Sequence, residues 1–268
     1  MANLPPIFYH YFTLPLPYTR TLALQEQLHR IQLATRRTSG SYKDILLLLQ
    51  HRPVYTAGRR QLSTSPEVQV EAARLRGIGA DFVATQRGGQ TTYHGPGQIV
   101  GYPLLDLARW SPPLGIRPYI CNMQRTLEAH LLERHGVAHV PSDNTGVFLD
   151  ETTKVASIGV QVRHRLTTHG FAMNVTREPL AWFAKVVACG LAEVSAGCIA
   201  DAVKVNGSRG SAITVEGEIE GLVATFGQVY GREMAPLDMH ERDESVHAIR
   251  TFEKEIEQAG DWVRAPLG

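Results

Sequence analysis

Residues 87–103, RGGQTTYHGPGQIVGYP, combine five glycines with an arginine and a histidine. Glycine lets the backbone approach a ligand closely and leaves its N–H groups accessible. A plain turn between two strands needs only about two to five residues, so a glycine-rich turn is the weaker interpretation. The stretch is therefore predicted to form one wall of a binding site. In it, Arg87 would bind an anionic or polar group, and Tyr93 and His94 would add polar edges.

Cys189, in VVACGL, is a candidate nucleophile. A helix is predicted to begin at Pro179 and to end at Cys189 and Gly190, since glycine commonly follows a helix C-terminus. A free cysteine at such a position is more often a small buried apolar residue. A thiolate there would face the negative end of the helix dipole, which raises the pKa of a thiol. A catalytic Cys189 would therefore need a nearby cation.

Lys154 could be that cation. It begins KVASIGVQV, a predicted strand of small and apolar residues in which an ammonium group would be partly removed from water. The alternative is a solvated lysine at a strand end. His169, before GFA, is likewise either a half-buried structural histidine or a site residue. The chain has no CxxC and no paired Cys and His spacing, so neither a disulfide framework nor a metal site is predicted.

Taken together, these segments resemble one family. RGGQTTYHGPGQIVGYPLLDL, then KVASIGVQV, then THGFAMNV and then CG are similar to the successive motifs of LipB-type octanoyltransferases. HRPVYTAGRR, residues 51–60, also fits, and the resemblance extends from about Tyr18 to Cys189. One departure is Ala188, which stands where many members have proline.

The resemblance implies transfer of an octanoyl group from octanoyl-acyl carrier protein to the target lysine of lipoyl domains, the first step of endogenous protein lipoylation. Cys189 would carry the acyl group as a thioester. Lys154 would lower the pKa of the thiol and act as general acid and base. The implied substrate-binding residues are Arg87, Gly88, Gly89, Gln90, Thr91, Thr92, Tyr93, His94, Ser157, Ile158, Gly159, His169, Gly170, Phe171 and Ala172.

The resemblance also implies the cofactors and partners. Neither ATP nor a metal is expected, because the donor arrives as a thioester on the phosphopantetheine of acyl carrier protein. The expected acceptors are the lipoyl domains of 2-oxoacid dehydrogenase E2 subunits and the H protein of glycine cleavage. Two alternatives stay open: an ATP-dependent lipoate or octanoate ligase, which needs no nucleophilic cysteine, and a non-catalytic lipoyl-domain-binding protein. A thioesterase is less favoured because it must admit water.

The elements that must position these residues alternate between helix and strand. Residues 19–37, 116–135 and 214–230 are predicted helices, and residues 45–50, 81–86, 98–107, 146–150, 154–162 and 166–175 are predicted strands. This order predicts an α/β fold of the α+β type, a single domain with a mixed, largely antiparallel sheet flanked by helices. The resemblance adds the biotin/lipoate protein ligase fold. Residues 1–235 are expected to form the catalytic domain and residues 236–268 a charged, partly helical extension.

Composition excludes several classes of protein. The 268 residues carry a net charge of +1 and are 43% hydrophobic, which gives no reason to expect nucleic acid or a membrane as partner. Three cysteines favour a reducing compartment. The N-terminus shows no transit peptide or secretory signal. A monomer is expected, in the mitochondrial matrix if the protein is eukaryotic and otherwise in the bacterial cytoplasm. The long segment 63–80 and the charged tail favour the matrix.

Overall fold

The apolar run ILLLLQ lies at the centre of the molecule, where six consecutive residues, Asp44–Leu49, form a strand that is buried throughout. The computed structural model describes residues 4–38, 41–61, 65–186, 193–205, 212–258, 260 and 262–267. Burial on both faces explains why this strand has no polar and apolar alternation. It must therefore be covered by helices on each side.

The strands of the described residues form two sheets. They are β1 (Ile7–Tyr11), β2 (Asp44–Leu49), β3 (Val54–Ala57), β4 (Asp81–Ala84), β5 (Thr92–His94), β6 (Gln98–Leu104), β7 (Val147–Phe148), β8 (Thr153–Arg163), β9 (Leu166–Asn174), β10 (Ser195–Ala196) and β11 (Met234–Pro236). The larger sheet has the order β10-β8-β9-β6-β2-β1-β11, with β7 paired to β8, and the smaller has the order β4-β3-β5.

Strand direction changes across the larger sheet. The central pairs β8–β9, β6–β9 and β2–β6 are antiparallel, whereas β1 runs parallel to β2 and to β11, and β10 runs parallel to β8. In the smaller sheet β3 is parallel to β4 and antiparallel to β5. The predicted mixed sheet with a largely antiparallel arrangement is confirmed.

Seven α-helices occur among the described residues. They are α1 (Tyr18–Thr38), α2 (Pro66–Gly77), α3 (Ile116–His135), α4 (Glu178–Phe183), α5 (Ile199–Val205), α6 (Val215–Tyr230) and α7 (Glu244–Glu257). Successive side chains of a strand point to opposite faces. Leu46 and Leu48 of β2 accordingly pack with α3 and α6, and Ile45 and Leu47 pack with α1 and α7. Among the described residues, no helix has both the length and the apolar character needed to span a bilayer.

The C-terminal part of the chain contributes to this core. Ile249, Phe252 and Ile256 of α7 are buried in the same cluster as Ile45 and Leu47 of β2. The predicted amphipathic helix in the charged tail is therefore present. The division of the chain at residue 235 stays a prediction.

α4 (Glu178–Phe183) ends earlier than the helix predicted from Pro179 to Cys189, since residues 184–186 are not helical. A continuing helix would pair the carbonyl oxygen of Trp182 with the N–H of residue 186. Instead the Tyr55 hydroxyl donates to that oxygen at 2.6 Å, and the N–H of residue 186 donates to the carbonyl of Phe183 at 3.2 Å. Cys189 itself lies outside the described residues.

Candidate active site

A cavity of about 780 Å³ is lined by most of the predicted site residues. Its walls come from the loop before β5, from the middle of β8 and from β9. The predicted residues that line it are Arg87, Gly88, Gly89, Gln90, Thr92, His94, Lys154, Ser157, Ile158, Gly159, His169, Gly170, Phe171 and Ala172. Three segments far apart in the sequence thus meet around one space.

Glycines allow two loops and a strand to touch at one side of the cavity. A Cβ on Gly58 would lie 2.2 Å from the carbonyl oxygen of Gly89, and one on Gly159 would lie 2.9 Å from the carbonyl oxygen of Gly88. Both distances are shorter than any side chain tolerates. The N–H of Gly88 donates to the carbonyl of Val160 at 3.0 Å, which fixes the loop on β8. The glycine-rich stretch is therefore a wall that lies directly on the neighbouring strand.

Arg87 holds this wall to the smaller sheet. Its Nη2 donates to the carbonyl oxygen of Thr56 at 2.6 Å, to the Thr56 hydroxyl at 2.7 Å and to the carbonyl oxygen of Gln90 at 2.9 Å. The side chain is buried, and its Nη1 donates to the carbonyl oxygen of Gly88 at 3.0 Å. Much of the donor capacity of Arg87 therefore goes to protein oxygens, so positioning the loop accounts for its place in the site.

Three buried histidines lie together beside the cavity. The Nδ1 of His94 lies 2.8 Å from Oε1 of Gln98, and the Nε2 of His51 lies 2.6 Å from the Tyr102 hydroxyl. Burial lowers the pKa of His51 to about 4 and the pKa of His169 to about 3, and it lowers the pKa of His94 well below its usual value. All three rings are consequently neutral near pH 7, so they offer polar but uncharged groups.

Lys154 has a defined place at the cavity wall. Its Nζ donates to the carbonyl oxygen of Thr145 at 2.8 Å and lies 5.2 Å from the ring centroid of Phe148. The side chain passes over Gly146, where a Cβ would lie 2.5 Å from Cε of Lys154. Gly146 has a φ of 131°, which an L side chain rarely adopts. The turn before β7 thus leaves room for the lysine side chain, and its Thr145 carbonyl oxygen accepts the hydrogen bond from Nζ.

A second cavity of about 340 Å³ adjoins the first. It is lined mainly by apolar side chains from α4 and from the chain before and within β10. Lys154, Ser157 and Ala172 line both cavities. Lys154 therefore belongs to the wall that the two cavities share.

Two predicted binding residues of the described part of the chain do not line the larger cavity. β5 spans Thr92–His94, and because side chains alternate along a strand, Thr92 and His94 face the cavity while Tyr93 faces the opposite side. Tyr93 is fully buried and its ring stacks on Trp182 at 5.4 Å between centroids. Thr91 donates through its hydroxyl to Gln61 Oε1 at 2.8 Å. The predicted nucleophile, Cys189, lies outside the described residues.

Other lining residues escaped the sequence analysis. Tyr18 and Tyr102 contribute from α1 and β6, Ile120 contributes from α3, and Arg59 and Arg60 lie at the exposed rim. A signal existed for the arginines, since they follow Gly58 in the motif of residues 51–60. The tyrosines and Ile120 follow helix and strand patterns that do not distinguish them from core residues.

One group of three potential metal ligands occurs within the described part of the chain. It consists of His130, His135 and Glu218, and none of these residues lines either cavity. The cavity walls themselves therefore show no ligand set for a metal among the described residues.

Comparisons with known proteins identify related sequences. Residues 17–226 match the family described as the lipoyl protein ligase A/B catalytic domain. The mitochondrial octanoyl-[acyl-carrier-protein]:protein N-octanoyltransferase of Homo sapiens is 34% identical over 221 residues, which cover 80% of this chain and 89% of that protein. The octanoyltransferase of Leifsonia xyli subsp. xyli is 34% identical over 231 residues, covering 83% and 91%.

Solved structures of lipoate protein ligases share the fold. Lipoate-protein ligase A bound with ATP superposes with a TM-score of 0.59 at 15% identity, covering 98% of both chains. The putative lipoate protein ligase from T. acidophilum gives 0.58 at 16% identity, covering 93% of this chain and 95% of that one. The matched family covers most of the sequence and includes every described cavity wall, and on these grounds the chain belongs to the lipoyl protein ligase A/B catalytic domain family.

Proposed function

We propose that this protein transfers an octanoyl group from octanoyl-acyl carrier protein to the target lysine of a lipoyl domain, through a thioester on Cys189. The relatives named octanoyltransferase support the reaction. The observation that carries the proposal is the position of Lys154, which lines both cavities. An amine at that point can serve a sulfur and a carbonyl carbon held in adjacent spaces.

The first half-reaction forms the acyl-enzyme. A free thiol has a pKa of about 8.5, so only a few per cent is thiolate near neutral pH. The ammonium of Lys154 favours the thiolate of Cys189 by charge attraction, most strongly where water is partly excluded. The thiolate attacks the octanoyl thioester, the carbon–sulfur bond to pantetheine breaks, and Lys154 gives its proton to the departing sulfur.

The second half-reaction uses the same group in the reverse sense. The neutral amine of Lys154 accepts a proton from the incoming lysine as that lysine attacks the carbonyl carbon on Cys189. The sulfur leaves and an amide forms. Exchange of one thioester for another is nearly balanced and the amide is strongly favoured, so the scheme needs neither ATP nor a metal. We assign stabilisation of the developing oxyanion to backbone N–H groups of the glycine-rich segments.

The larger cavity suits a medium-length acyl chain. Its volume of about 780 Å³ lies in the range of small-molecule sites. Small residues, Ser157, Gly159 and Ala172, leave space over the face of the paired strands β8 and β9, and the neutral histidines add no charge beside an apolar chain. Arg87, Gly88, Gly89, Gln90, Thr92 and His94 would form the opposite wall.

The partners and the compartment follow from the same reaction. Acyl carrier protein would be the donor, and the lipoyl domains of 2-oxoacid dehydrogenase E2 subunits and the glycine cleavage H protein would be the acceptors. Relatives from Homo sapiens and Danio rerio are named mitochondrial, whereas others are bacterial. We propose the mitochondrial matrix for a eukaryotic source and the cytoplasm for a bacterial one.

Intact-protein mass spectrometry tests the intermediate. After incubation with octanoyl-acyl carrier protein, the wild-type chain is expected to gain the mass of one octanoyl group, and Cys189→Ser is expected to gain none. Lys154→Ala should slow adduct formation by about 100-fold or more, the usual contribution of a positioned acid–base group. It should also move the pH profile of Cys189 alkylation to higher pH, because the thiolate loses its cation.

Three further outcomes would separate the competing functions. Labelling of a lipoyl domain with free octanoate that depends on ATP would establish a ligase instead. Lipoyl-domain binding with no adduct and no transfer would establish a non-catalytic binding protein. An alkylation profile of Lys154→Ala identical to that of the wild type would remove the lysine from the mechanism.

A further inference from the structure

Two histidines and a glutamate converge between α3 and α6, outside both cavities. The Nε2 of His130 lies 2.7 Å from Oε2 of Glu218, and the Nε2 of His135 lies 2.8 Å from the same oxygen. The ligand atoms of all three residues lie within 4.8 Å of one another. The side chains of His130 and Glu218 are 1% and 3% exposed, and that of His135 is 9% exposed. Three donor atoms therefore share a small space with little access to water.

Two imidazole nitrogens and one carboxylate oxygen are a common zinc ligand set, in which water takes the fourth position. We propose that His130, His135 and Glu218 bind one Zn²⁺ ion, which joins the end of α3 to the first turn of α6. The sequence analysis predicts no metal because it considers patterns that contain cysteine, although His130 and His135 stand at the short spacing H-x4-H. Here the third ligand comes from a different helix, 83 residues after His135.

The site needs a small rearrangement to accept the ion. Zinc–nitrogen and zinc–oxygen bonds of about 2.0–2.2 Å at tetrahedral angles separate neighbouring ligand atoms by roughly 3.3 Å. The two nitrogen–oxygen distances of 2.7 and 2.8 Å would each open by about 0.5 Å. Each ring would also keep its proton on Nδ1, so that the Nε2 lone pair faces the metal. Rotation of the His135 side chain would open the second distance, and rotation of the Glu218 carboxylate would open the first.

The packing of α6 makes room for the first ligand. A Cβ on Gly221 would lie 3.3 Å from Cε1 of His130 and 3.1 Å from Nη1 of Arg134. A glycine inside a helix destabilises it relative to alanine, so its position here favours close approach of the two helices. The ring of His130 therefore lies directly against the backbone of α6.

Arg134 is the group that opposes a cation at this site. Its Nε lies 3.3 Å from Oε2 of Glu218, and its Nη2 donates to the carbonyl oxygen of Gly217 at 2.6 Å. Its side chain is 41% exposed, so it can turn toward solvent when the metal binds. Removal of this charge should therefore tighten zinc binding. The proposal can thus be tested by a variant with increased zinc affinity as well as by one with decreased affinity.

The experiment is a zinc titration of the full-length chain after removal of metal by a chelator. Equilibrium dialysis with metal analysis is expected to find one ion per chain, with a rise in Tm on binding. His135→Gln should weaken binding at least tenfold and abolish the rise in Tm, and Arg134→Gln should tighten binding several-fold. His139→Gln is the matched control, because its ring faces Glu128 at 3.6 Å and not Glu218.

Thiols must be separated from this site, because Cys121 is exposed and Cys189 is the proposed nucleophile. Co²⁺ in place of Zn²⁺ makes the distinction. A site of histidine and carboxylate gives weak visible bands without the sulfur-to-cobalt charge-transfer band that a thiolate produces. A charge-transfer band lost on alkylation, equal zinc affinity of His135→Gln and wild type, or no bound zinc at stoichiometric excess would each overturn the proposal. None of these results depends on octanoyl transfer.

Discussion

The position of one amine, Nζ of Lys154, depends on three neighbours along a short turn. Thr145 supplies a carbonyl oxygen, Phe148 supplies the face of its ring, and Gly146 supplies the absence of a side chain. A carbonyl oxygen and an aromatic ring both stabilise an ammonium over an amine. The turn therefore fixes the lysine side chain at the wall that the two cavities share.

Gly146→Ala should displace that lysine. The new Cβ would lie 2.5 Å from Cε of Lys154 and 2.4 Å from the carbonyl oxygen of Ala156, at a φ of 131°. Strain at such a residue costs about 1–3 kcal/mol of stability. The rate of adduct formation should fall well beyond what the lowered stability explains.

The control for this change is Gly77→Ala at the end of α2, where a Cβ meets nothing within 4 Å. The rate of acylation and the free energy of unfolding are measured for both variants. A Gly146→Ala protein that acylates at the wild-type rate while folded would show that the turn does not position Lys154.

At the scale of elements, the buried histidines join parts of the two sheets and α1. His51 precedes β3 and contacts Tyr102 of β6, while His169 of β9 lies against Tyr18 of α1. His94 belongs to β5, and its ring stacks on that of Tyr18. Every connection is made by neutral rings, so protonation of any one of them would place an unpaired charge in the interior.

Stability should therefore fall on the acid side of neutrality. The pKa of His51 is lowered from 6.5 to about 4 in the folded chain, so the unfolded chain binds the proton first as the pH falls. The stabilising effect of the neutral ring is complete above pH 6.5 and is lost between pH 6.5 and about 4. Each such histidine contributes a slope of about 1.4 kcal/mol per pH unit in that window.

Denaturant unfolding at pH 7, 6, 5 and 4.5 measures this slope. His51→Gln should reduce this slope by the equivalent of about one proton taken up on unfolding. His240→Gln, at a solvent-accessible position, should leave the slope unchanged. Equal slopes for wild type and His51→Gln would show that the ring already binds its proton in the folded chain.

The spacing of apolar residues predicted those elements that have one apolar and one polar face. The helix of residues 116–135 has the predicted bounds, because Met123, Leu127 and Leu131 form a clear stripe and Gly136 ends it in the left-handed conformation. α2 was missed because its apolar residues form no stripe, and Val70 is 71% exposed. β3 is absent from the predicted strands because only four residues separate Pro53 from Gly58.

The site could be predicted only in part, for a related reason. Glycines indicate that the backbone approaches a ligand or a neighbouring segment closely, so the loop before β5 could be predicted to form a wall of the site. The side of β5 that faces the cavity is not evident from three residues, and Tyr93, which was predicted as a binding residue, does not line the larger cavity. The ligands at the α3 and α6 contact depend on helix packing, which local spacing does not encode.

At the scale of the whole molecule, the rim of the larger cavity carries exposed basic side chains. Arg59 and Arg60 line the rim and follow the motif that begins at His51. The net charge of the chain is only +1, so this pair acts locally and not through an overall field. It suits an acidic docking face on the proposed carrier protein, which would deliver its phosphopantetheine into the cavity.

Arg59→Glu/Arg60→Glu should weaken the encounter with the carrier protein. KM for octanoyl-acyl carrier protein is expected to rise roughly tenfold with kcat little changed, and the effect should shrink at high salt. The rate with octanoyl-pantetheine, which lacks the carrier protein, should stay near the wild-type value.

A second double variant, Arg30→Glu/Arg37→Glu, makes the same change of charge on exposed positions of α1 that do not line the cavity. If this variant raises KM for the carrier-linked donor as much as the rim variant does, net charge and not the rim governs the encounter.

The place of α7 in the core bears on how the cell makes this protein. Its side chains cover the α1 face of β2, yet residues 244–257 are synthesised long after that strand. Until they emerge, Ile45 and Leu47 lack part of their cover, and exposed apolar surface of this kind promotes aggregation. A premature stop codon before α7 would therefore release a chain that chaperones and proteases recognise, although every motif of the family precedes it.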